Sequence, residues 1–358
     1  YFKNNGYHIY KRAEVLGHLT KDKECIAIAG THGKTTISSL LSYVFTQNFV
    51  DCSAFLGGIA KDFNSNIKIG KEPIFVVEAD EFDRSFLHLS PDWAIISSMD
   101  ADHLDVYGSL KYFKDSFDLF SSNVSNGNVI AKEGLDVVAK HTYALNSSTA
   151  DFSASKIIVE KGRYLFDIKY PNGVCNNVSL GMSGIHNVEN ALAVFSMAYL
   201  YGVCPEGIVS SLASFSGVKR RFEYHVNTKN QIYIDDYAHH PEEIKAVIKS
   251  SRDLFPEKQL TVVFQPHLFS RTRDFMTEFA EALSLADKVM LLAIYPAREL
   301  PIKGISSEFL LEKITCVNKG LYQMTDFPEV VAGSQVLMTL GAGSIDLLVQ
   351  PIKNYLSL

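Results

Sequence analysis

Residues 26–36 constrain the fold of this chain more than any other segment. They read Ile-Ala-Ile-Ala-Gly-Thr-His-Gly-Lys-Thr-Thr, and the residues that follow carry apolar side chains at helical spacing. An apolar run, a glycine turn and a helix start, in that order, predict a buried strand leading into a helix, the unit of a parallel α/β sheet. Small residues at such a turn let backbone N–H groups surround phosphate oxygens at the positive end of the helix.

The side chains of this turn are those that a nucleoside triphosphate requires. Lys34 can neutralise the β- and γ-phosphates, and the Thr35 hydroxyl can ligate Mg²⁺. The turn is shorter than the usual phosphate-binding loop, because Ile28 stands where that loop has its first glycine. A plain strand-to-helix turn that carries a lysine is the alternative. We predict that ATP is bound by the whole turn: Gly30, Thr31, His32, Gly33, Lys34, Thr35 and Thr36.

The length and charge of the chain limit its function. Its 358 residues are enough for two domains, and no apolar run approaches the roughly 20 residues that cross a bilayer. The net charge of −6 argues against a broad nucleic-acid-binding surface. Five scattered cysteines without a CxxC pair predict reduced, mostly buried thiols in a cytoplasmic protein. The sequence leaves the oligomeric state open between monomer and dimer.

Strand and helix patterns alternate in two blocks. The first block has strand patterns at 25–30, 73–78 and 93–98, a helix pattern at 110–120, two antiparallel strands at 156–160 and 164–170, and helices at 186–201 and 205–215. The second has strands at 232–236, 260–265, 288–294 and 335–340, with helices after Pro241, Thr272 and Ser306. This α/β pattern predicts a P-loop-type central ATPase domain at 21–216, with a mostly parallel sheet and a small antiparallel portion. A Rossmann-like α/β C-terminal domain is predicted at 217–358.

Acidic residues follow two strands of the first block. Glu78-Ala-Asp-Glu81 ends one strand, and Asp100-Ala-Asp-His-Leu-Asp105 follows another. Because ligands gather at the carboxyl ends of parallel strands, a carboxylate there is a natural Mg²⁺ ligand. Each stretch alone could equally be a solvated acidic turn, and His103 a capping or core histidine. Beside the phosphate turn, they predict a metal site made by Thr35, Glu78 and His103.

Six motifs occur in a fixed order along the chain. They are Gly30-Thr-His-Gly-Lys-Thr-Thr36, Glu78-Ala-Asp-Glu-Phe-Asp-Arg-Ser-Phe-Leu87, Asp100-Ala-Asp-His-Leu-Asp105, Gly184-Ile-His-Asn-Val-Glu-Asn-Ala191, Val218-Lys-Arg-Arg-Phe-Glu223 and Asp235-Asp-Tyr-Ala-His-His-Pro241. In this order the motifs resemble the Mur ligase family, ATP-dependent enzymes that join amino acids to the muramic acid stem. The resemblance implies ATP and Mg²⁺ as cofactors and amide formation as the reaction.

Within that family, the details are most similar to the member that adds L-alanine to UDP-N-acetylmuramate. The doubled Arg220-Arg221, the pair His239-His240 and Gln265-Pro-His-Leu-Phe-Ser-Arg-Thr-Arg273 carry this likeness. The resemblance implies UDP-N-acetylmuramate and L-alanine as substrates, with no nucleic-acid partner and no membrane insertion. The alternatives are a recycling ligase that attaches a whole peptide, a folate polyglutamate synthase on the same scaffold, and a nucleotide-gated binding module without amide chemistry.

The resemblance also implies which residues take part in catalysis. The implied catalytic residues are Lys34, Glu78, His103, His239 and Arg271. Lys34 would bind the transferred phosphate, Thr35 and Glu78 a first Mg²⁺, and His103 a second. His239 and Arg271 would face the acceptor, with Arg271 bound to the alanine carboxylate. From the residue type alone, Arg271 could instead be an exposed residue at a helix start.

Four further residues would bind the nucleotide by resemblance. Asn187 and Asn190 would contact the adenine side, whereas Arg221 and Asp236 would reach the phosphates and ribose from the second domain. Without the family context, the two asparagines could be helix caps or surface amides. Because the implied residues come from both domains, we expect domain closure during the reaction.

The chain departs from its family at three places. Relatives often have asparagine where this chain has Ser98, and several carry a carbamylated lysine where it has Phe117, so a lysine carbamate is not expected. The family begins with a domain that holds the UDP sugar, and nothing before Ala27 matches its glycine-rich turn. We expect residues 1–20 to be a linker from that missing domain, and the chain to bind ATP while ligating little by itself.

Overall fold

The computed structural model describes residues 1–100, 107–160 and 162–357. The chain divides into two compact units. Unit 1 comprises Tyr1–Met182 and His186–Lys219, and unit 2 comprises Ser183–Ile185 and Arg220–Leu358.

Unit 1 is built around one ten-stranded sheet. Its strands are β1 (Glu24–Ala29), β2 (Ser53–Ala60), β3 (Ser65–Lys68), β4 (Ile74–Glu78), β5 (Trp93–Ile96), β6 (Val129–Lys132), β7 (His141–Leu145), β8 (Phe152–Glu160), β9 (Arg163–Tyr170) and β10 (Gly173–Ser179). The order is β10-β9-β8-β7-β6-β5-β1-β4-β2-β3. The strands from β8 through β5, β1 and β4 to β2 pair in parallel, and β3, β9 and β10 add antiparallel edges.

The position of β1 in this sheet determines where unit 1 can bind a ligand. β1 lies between β4 and β5 and is parallel to both, with Ile28 opposite Glu78 on one side and Ile95 on the other. The loops that follow these three strands therefore leave the sheet at one edge. In open α/β sheets this carboxyl edge, where the strand order reverses, is the usual place for a ligand.

Helices cover the sheet of unit 1. They are α1 (Arg12–Thr20), α2 (Lys34–Gln47), α3 (Leu110–Ser122), α4 (Ile185–Leu200) and α5 (Pro205–Ser214). Helix α2 starts directly after Gly33, whose φ of 84° ends the preceding turn. Its interior is apolar at Ile37, Leu40 and Val44, which are fully buried, and the adjacent serine hydroxyls bond back to carbonyls one turn earlier. Helix α2 is thereby fixed against the sheet behind the phosphate turn.

Phe117 lies inside the core of unit 1. It is fully buried on α3, and its ring centroid lies 5.2 Å from that of Phe86 and 5.1 Å from that of Phe113. Phe120 stacks on Phe86 at 4.8 Å. An aromatic residue at this position packs α3 against the segment after β4. Position 117 is thus part of the hydrophobic core of unit 1.

Unit 2 is built around a separate six-stranded sheet. Its strands are β11 (Glu223–Asn227), β12 (Ile232–Asp236), β13 (Leu260–Phe264), β14 (Lys288–Leu291), β15 (Asn318–Leu321) and β16 (Val336–Leu340), in the order β11-β12-β16-β13-β14-β15. Only β11 pairs antiparallel to its neighbour. The helices are α6 (Pro241–Leu254), α7 (Phe269–Asp274), α8 (Met276–Leu283), α9 (Ser307–Lys313) and α10 (Val349–Leu356).

These two sheets confirm the predicted fold class, an α/β chain with mostly parallel strands and an antiparallel portion. The predicted helix after Thr272 is present as α8, and a short helix that was not predicted, α7, precedes it. The helix α7 begins earlier, at Phe269, because Leu268 turns the backbone with a φ of 72° and its carbonyl accepts bonds from the N–H and hydroxyl of Thr272.

The five cysteines are free thiols, but only Cys25 and Cys52 are buried, so the prediction of mostly buried thiols was wrong. No helix within the described residues is long and apolar enough to cross a membrane.

Candidate active site

The phosphate turn of unit 1 lies against two serines that follow β5. Gly30, with a φ of 131°, packs so closely on Ser97 that a side chain there would overlap the serine hydroxyl. Ser97 also donates to the Ala29 carbonyl at 3.2 Å. Only glycine fits this approach, so the turn and the end of β5 form one rigid edge.

Ser98 organises the middle of the same turn. Its hydroxyl accepts a bond from the His32 N–H at 2.8 Å and pairs with the Thr31 hydroxyl at 2.9 Å. The Thr31 hydroxyl in turn accepts from the Asp100 N–H at 3.1 Å, and the His32 ring lies 3.4 Å from the Asp100 carboxylate. Ser98 therefore holds the phosphate turn in shape.

Lys34 points across the turn to a carboxylate that the sequence analysis did not select. Its ammonium donates to the Gly30 carbonyl at 2.7 Å and to Glu81 Oε2 at 2.6 Å. Burial works to lower the pKa of Lys34, but the carboxylates of Glu81, Asp80 and Glu78 outweigh it and raise that pKa above its ordinary value. Lys34 is therefore a fixed positive charge. The signal for Glu81 was present in the sequence, since it belongs to the same strand-end motif as Glu78.

Glu78, at the end of β4, has a backbone partner on β2. Its Oε2 accepts from the Gly57 N–H at 2.7 Å, and a side chain at position 57 would overlap the carboxylate. The neighbouring Gly58 packs on Thr35, whose methyl group would lie 3.0 Å from an added Cβ. Two glycines of β2 thus let this strand approach both Glu78 and Thr35.

Oxygen donors of this kind suit Mg²⁺. That ion commonly takes one or two carboxylates together with waters and substrate phosphates rather than a cage of protein ligands. Among the described residues no three His, Cys, Asp or Glu side chains converge on one point. Glu78 with the Thr35 hydroxyl fits a partly phosphate-bound ion. The predicted ligand His103 lies outside the described residues, as do the neighbouring Asp102 and Asp105.

The two asparagines of α4 lie beside the phosphate turn. The Asn190 amide donates to Asn187 Oδ1 at 3.1 Å, and Asn190 Oδ1 would lie 2.5 Å from a Cβ added to Gly33. Both are buried, at 1% and 9% exposure. The alternative that they are surface amides was wrong. The structure brings them together with Gly30–Thr36 at one edge of the unit 1 sheet.

The candidate residues of unit 2 lie at the carboxyl edge of its own parallel strands. The loops after β12, β13, β14 and β16 leave the sheet at the same edge. The loop after β13 is bonded to the loop after β14, because the Leu268 N–H donates to the Tyr295 carbonyl at 2.9 Å. This edge carries Asp236, His239 and Arg271.

Asp236 is a buried carboxylate at the end of β12. It accepts bonds from the backbone N–H groups of Phe222, at 2.6 Å, and Ala238, at 2.7 Å. Burial raises the pKa of Asp236 to about 6, although the Arg221 charge works to lower it. The carboxylate fixes the turn on which Arg221 and His239 are mounted.

Two guanidinium groups lie over one aromatic ring in this loop. The guanidinium carbons of Arg220 and Arg221 are each 5.2 Å from the ring centroid of Tyr237. Arg220 is also bound to Asp235 at 3.1 Å and to the Gly341 carbonyl at 2.6 Å. Arg220 is thus held by the scaffold, while the predicted nucleotide ligand Arg221 has its guanidinium on the same ring.

His239 is a neutral imidazole at ordinary pH. Burial lowers its pKa to about 4, helped by the charges of Arg271 and Arg221 and opposed by Glu243. Its Nδ1 lies 3.0 Å from the Tyr237 carbonyl, which makes Nδ1 the donor and leaves Nε2 as the basic nitrogen. A neutral histidine with a bare Nε2 can accept a proton.

Arg271 is buried on α7, with 8% exposure, so the alternative of an exposed residue at a helix start was wrong. Its charge helps to lower the pKa values of both His239 and His267, after the larger effect of burial. The His267 ring lies 6.1 Å from that of His239 and stacks on Tyr295 at 5.6 Å. A cation and a neutral base can thus serve one ligand that carries a carboxylate and an amine. His267 lies in a motif that resembles the family, but its sequence context predicted no role for it.

Comparison with protein families gives two matches along the chain. Residues 28–198 match the Mur ligase middle domain, and residues 220–348 match the Mur ligase glutamate ligase domain.

Individual proteins give the same picture. The chain is 46% identical to a UDP-N-acetylmuramate–L-alanine ligase of Porphyromonas gingivalis, over 99% of this chain and 81% of the relative. A crystal structure of UDP-N-acetylmuramate-alanine ligase from Thermotoga maritima superposes with a TM-score of 0.80 at 26% identity, covering 96% of this chain and 78% of that one. A murein peptide ligase from Psychrobacter arcticus shares the fold, with a TM-score of 0.69 at 21% identity over 99% of this chain and 82% of that one.

Proposed function

This chain belongs to the Mur ligase family, and from that premise we propose that it adds L-alanine to UDP-N-acetylmuramate at the expense of ATP. The observation that carries the proposal is the 46% identity to a ligase of that name over nearly the whole chain. The reaction belongs to peptidoglycan synthesis, and we assign it to the cytoplasm, where ATP and nucleotide-activated sugars are made.

The first half-reaction is phosphoryl transfer. The carboxylate of UDP-N-acetylmuramate attacks the γ-phosphorus of ATP, the bond to the β-phosphate bridging oxygen breaks, and an acyl phosphate and ADP form. Such transfer depends on positioning and charge neutralisation. Lys34 supplies a buried positive charge to the transferred phosphoryl group, and the amides of the phosphate turn bind the other phosphates. Asn187 and Asn190 hold the adenine side.

The proposed metal ligands of unit 1 are Thr35 and Glu78, and by resemblance His103 binds a second ion. When bound, Mg²⁺ neutralises phosphate charge and orients the attacking carboxylate. Glu78 is aimed by the Gly57 N–H, which keeps one of its oxygens engaged and the other available.

The second half-reaction is attack of the alanine amine on the acyl carbon, with loss of inorganic phosphate. Arg271 binds the alanine carboxylate, and the Nε2 of neutral His239 accepts a hydrogen bond from the attacking amine. Arg221 and Asp236 of unit 2 contact the phosphates and the ribose of the nucleotide. These roles are proposed from the family resemblance, and the burial of Asp236 and Arg271 and the neutral imidazole of His239 support them.

Phosphate release by the full-length protein tests the function. It should release phosphate from ATP only when both UDP-N-acetylmuramate and L-alanine are present. Lys34→Ala should lower this rate by about 100-fold or more, as the loss of one electrostatic contact to a transition state does, whereas Lys111→Ala, an exposed lysine on α3, should not. Equal turnover without an amino acid, or preference for L-glutamate or a whole peptide over L-alanine, would refute the proposal.

A further inference from the structure

Lys34 is held by two bonds that leave one of its N–H groups available. A lysine ammonium has three donors. One reaches the Gly30 carbonyl at 2.7 Å and one reaches Glu81 Oε2 at 2.6 Å. These two bonds lie on different sides of the phosphate turn, one on the turn itself and one on the segment after β4. Together they fix the direction in which the third N–H points.

Glu81 is itself buried and fixed by a hydrogen bond to its backbone. It is 1% exposed, and its backbone carbonyl accepts a bond from the Tyr107 hydroxyl at 2.5 Å. Tyr107 is 2% exposed, and the Arg84 guanidinium lies 5.3 Å from its ring centroid. In the sequence, Tyr107 comes four residues after His103. Tyr107 therefore supports the residue that binds Lys34.

We propose that Glu81 is a positioning residue that aims Lys34 at the transferred phosphate, and that the Tyr107 hydroxyl holds Glu81 in place for this purpose. The inference rests on the proposed function, because the phosphate belongs to ATP. Glu81 does not contact substrate in this scheme and acts only through Lys34.

The charge of Glu81 shows that it does not serve to strengthen ATP binding. A carboxylate next to the phosphate turn repels the triphosphate, and Glu78 and Asp80 already lie near Lys34. Removing the charge of Glu81 should therefore not weaken ATP binding. A buried ion pair also contributes little net stability compared with apolar packing. The remaining benefit is orientation, which is expressed in kcat rather than in the Kd for ATP.

Two substitutions at position 81 separate orientation from charge. Glu81→Ala should lower kcat by about 10–100-fold, the usual effect of losing a partner that orients a functional group, with the Kd for ATP no weaker than in the unchanged protein. Glu81→Gln should recover much of the loss, because its amide oxygen can still accept the lysine N–H. Glu133→Gln, a surface glutamate of the same unit that accepts from Ser147 and Thr149, is the matched control.

Tyr107→Phe removes only the hydroxyl that bonds to the Glu81 carbonyl, and so tests whether this bond holds Glu81 in place. Its kcat should fall in the same direction but by less than that of Glu81→Ala. Tyr43→Phe, which removes a part-buried hydroxyl bond of unit 1 to Ser214, should leave kcat unchanged.

The combined outcomes decide the proposal. An active parent protein whose Glu81→Ala variant is equally active refutes it, as does a Glu81→Gln variant no better than Glu81→Ala, or a loss of ATP affinity that accounts for the whole effect. All variants are made in the full-length protein, and a full-length parent that binds ATP but ligates nothing would instead refute the proposed function.

Discussion

Asp236 and His239 stand three residues apart in one loop, and burial shifts their pKa values in opposite directions. The pKa of Asp236 is raised from 3.8 to about 6, and that of His239 is lowered from 6.5 to about 4. For Asp236 the folded state holds the proton more tightly, so its contribution to stability is full below about pH 4 and is lost as the pH rises to about 6. His239 is the reverse: its contribution is full above about pH 6.5 and is lost as the pH falls to about 4.

The two contributions nearly cancel in the unchanged protein, since each amounts to about 3 kcal/mol at 1.36 kcal/mol per pKa unit. Asp236→Asn should therefore make the free energy of unfolding of unit 2 rise with pH between about 4 and 6.5. His239→Gln should make it fall over the same range. Urea unfolding at several pH values measures both slopes, with the exposed Asp253→Asn as control. Two variants that keep the parent slope would contradict these pKa values.

The sequence could identify residues whose chemistry is explicit, but not those whose importance comes from contact. Lys34 was predicted from its glycine turn, and its side chain is 13% exposed next to the end of β1. Ser98 looked like a departure from the family, yet its hydroxyl shapes the turn through His32 and Thr31. Glu81 belonged to a quoted motif, but only the fold shows that it, rather than Glu78, is the partner of Lys34.

At the scale of elements, continuous apolar runs were the reliable signal. They predicted β1, β4, β5 and the core strands of unit 2, which are buried on both faces. The sequence analysis did not predict β2, which contains Gly57 and Gly58, or the four-residue strands β3 and β6. Glycine weakens a strand pattern because it has no side chain to pack, and here it is present to admit Glu78 and Thr35. Because these two glycines are needed beside Glu78 and Thr35, the sequence of β2 does not show a typical strand pattern.

Aromatic packing holds helix α3 in place, and substitutions of Phe117 test this. Phe117→Ala should lower the free energy of unfolding by about 3–5 kcal/mol, because a fully buried aromatic side chain leaves a cavity. Phe117→Lys should cost at least as much, since an unpaired ammonium would be buried among Phe86, Phe113 and Phe120.

Denaturant unfolding of unit 1 measures both changes. Leu119→Ala is the matched control, because this leucine lies on the same helix and is 52% exposed. If Phe117→Lys were as stable as the parent protein, the position would be able to present a lysine to solvent, and the core assignment would be wrong.

At the scale of the whole molecule, each family match lies almost entirely within one structural unit. Residues 28–198 and 220–348 match separate family domains, and apart from Ser183–Ile185 the chain passes from unit 1 to unit 2 between Lys219 and Arg220. Each unit has its own sheet, and the strands of one do not pair with those of the other. Separate sheets with separate cores are the usual sign of domains that fold independently.

A fragment of residues 220–358 should therefore fold by itself. All six strands of the second sheet lie within it, as does an apolar cluster that includes Tyr233, Met290 and Leu337. It lacks Ser183–Ile185, whose bond from the Tyr224 hydroxyl to Ser183 is worth about 1 kcal/mol. We expect one cooperative thermal transition whose midpoint does not shift with ATP·Mg²⁺. A fragment of residues 1–219 should instead be stabilised by about 2.7 kcal/mol at 100 times the Kd. If the fragment of residues 220–358 shows no cooperative transition, the unit boundary is wrongly assigned. If ATP·Mg²⁺ stabilises that fragment, the phosphate site is wrongly assigned.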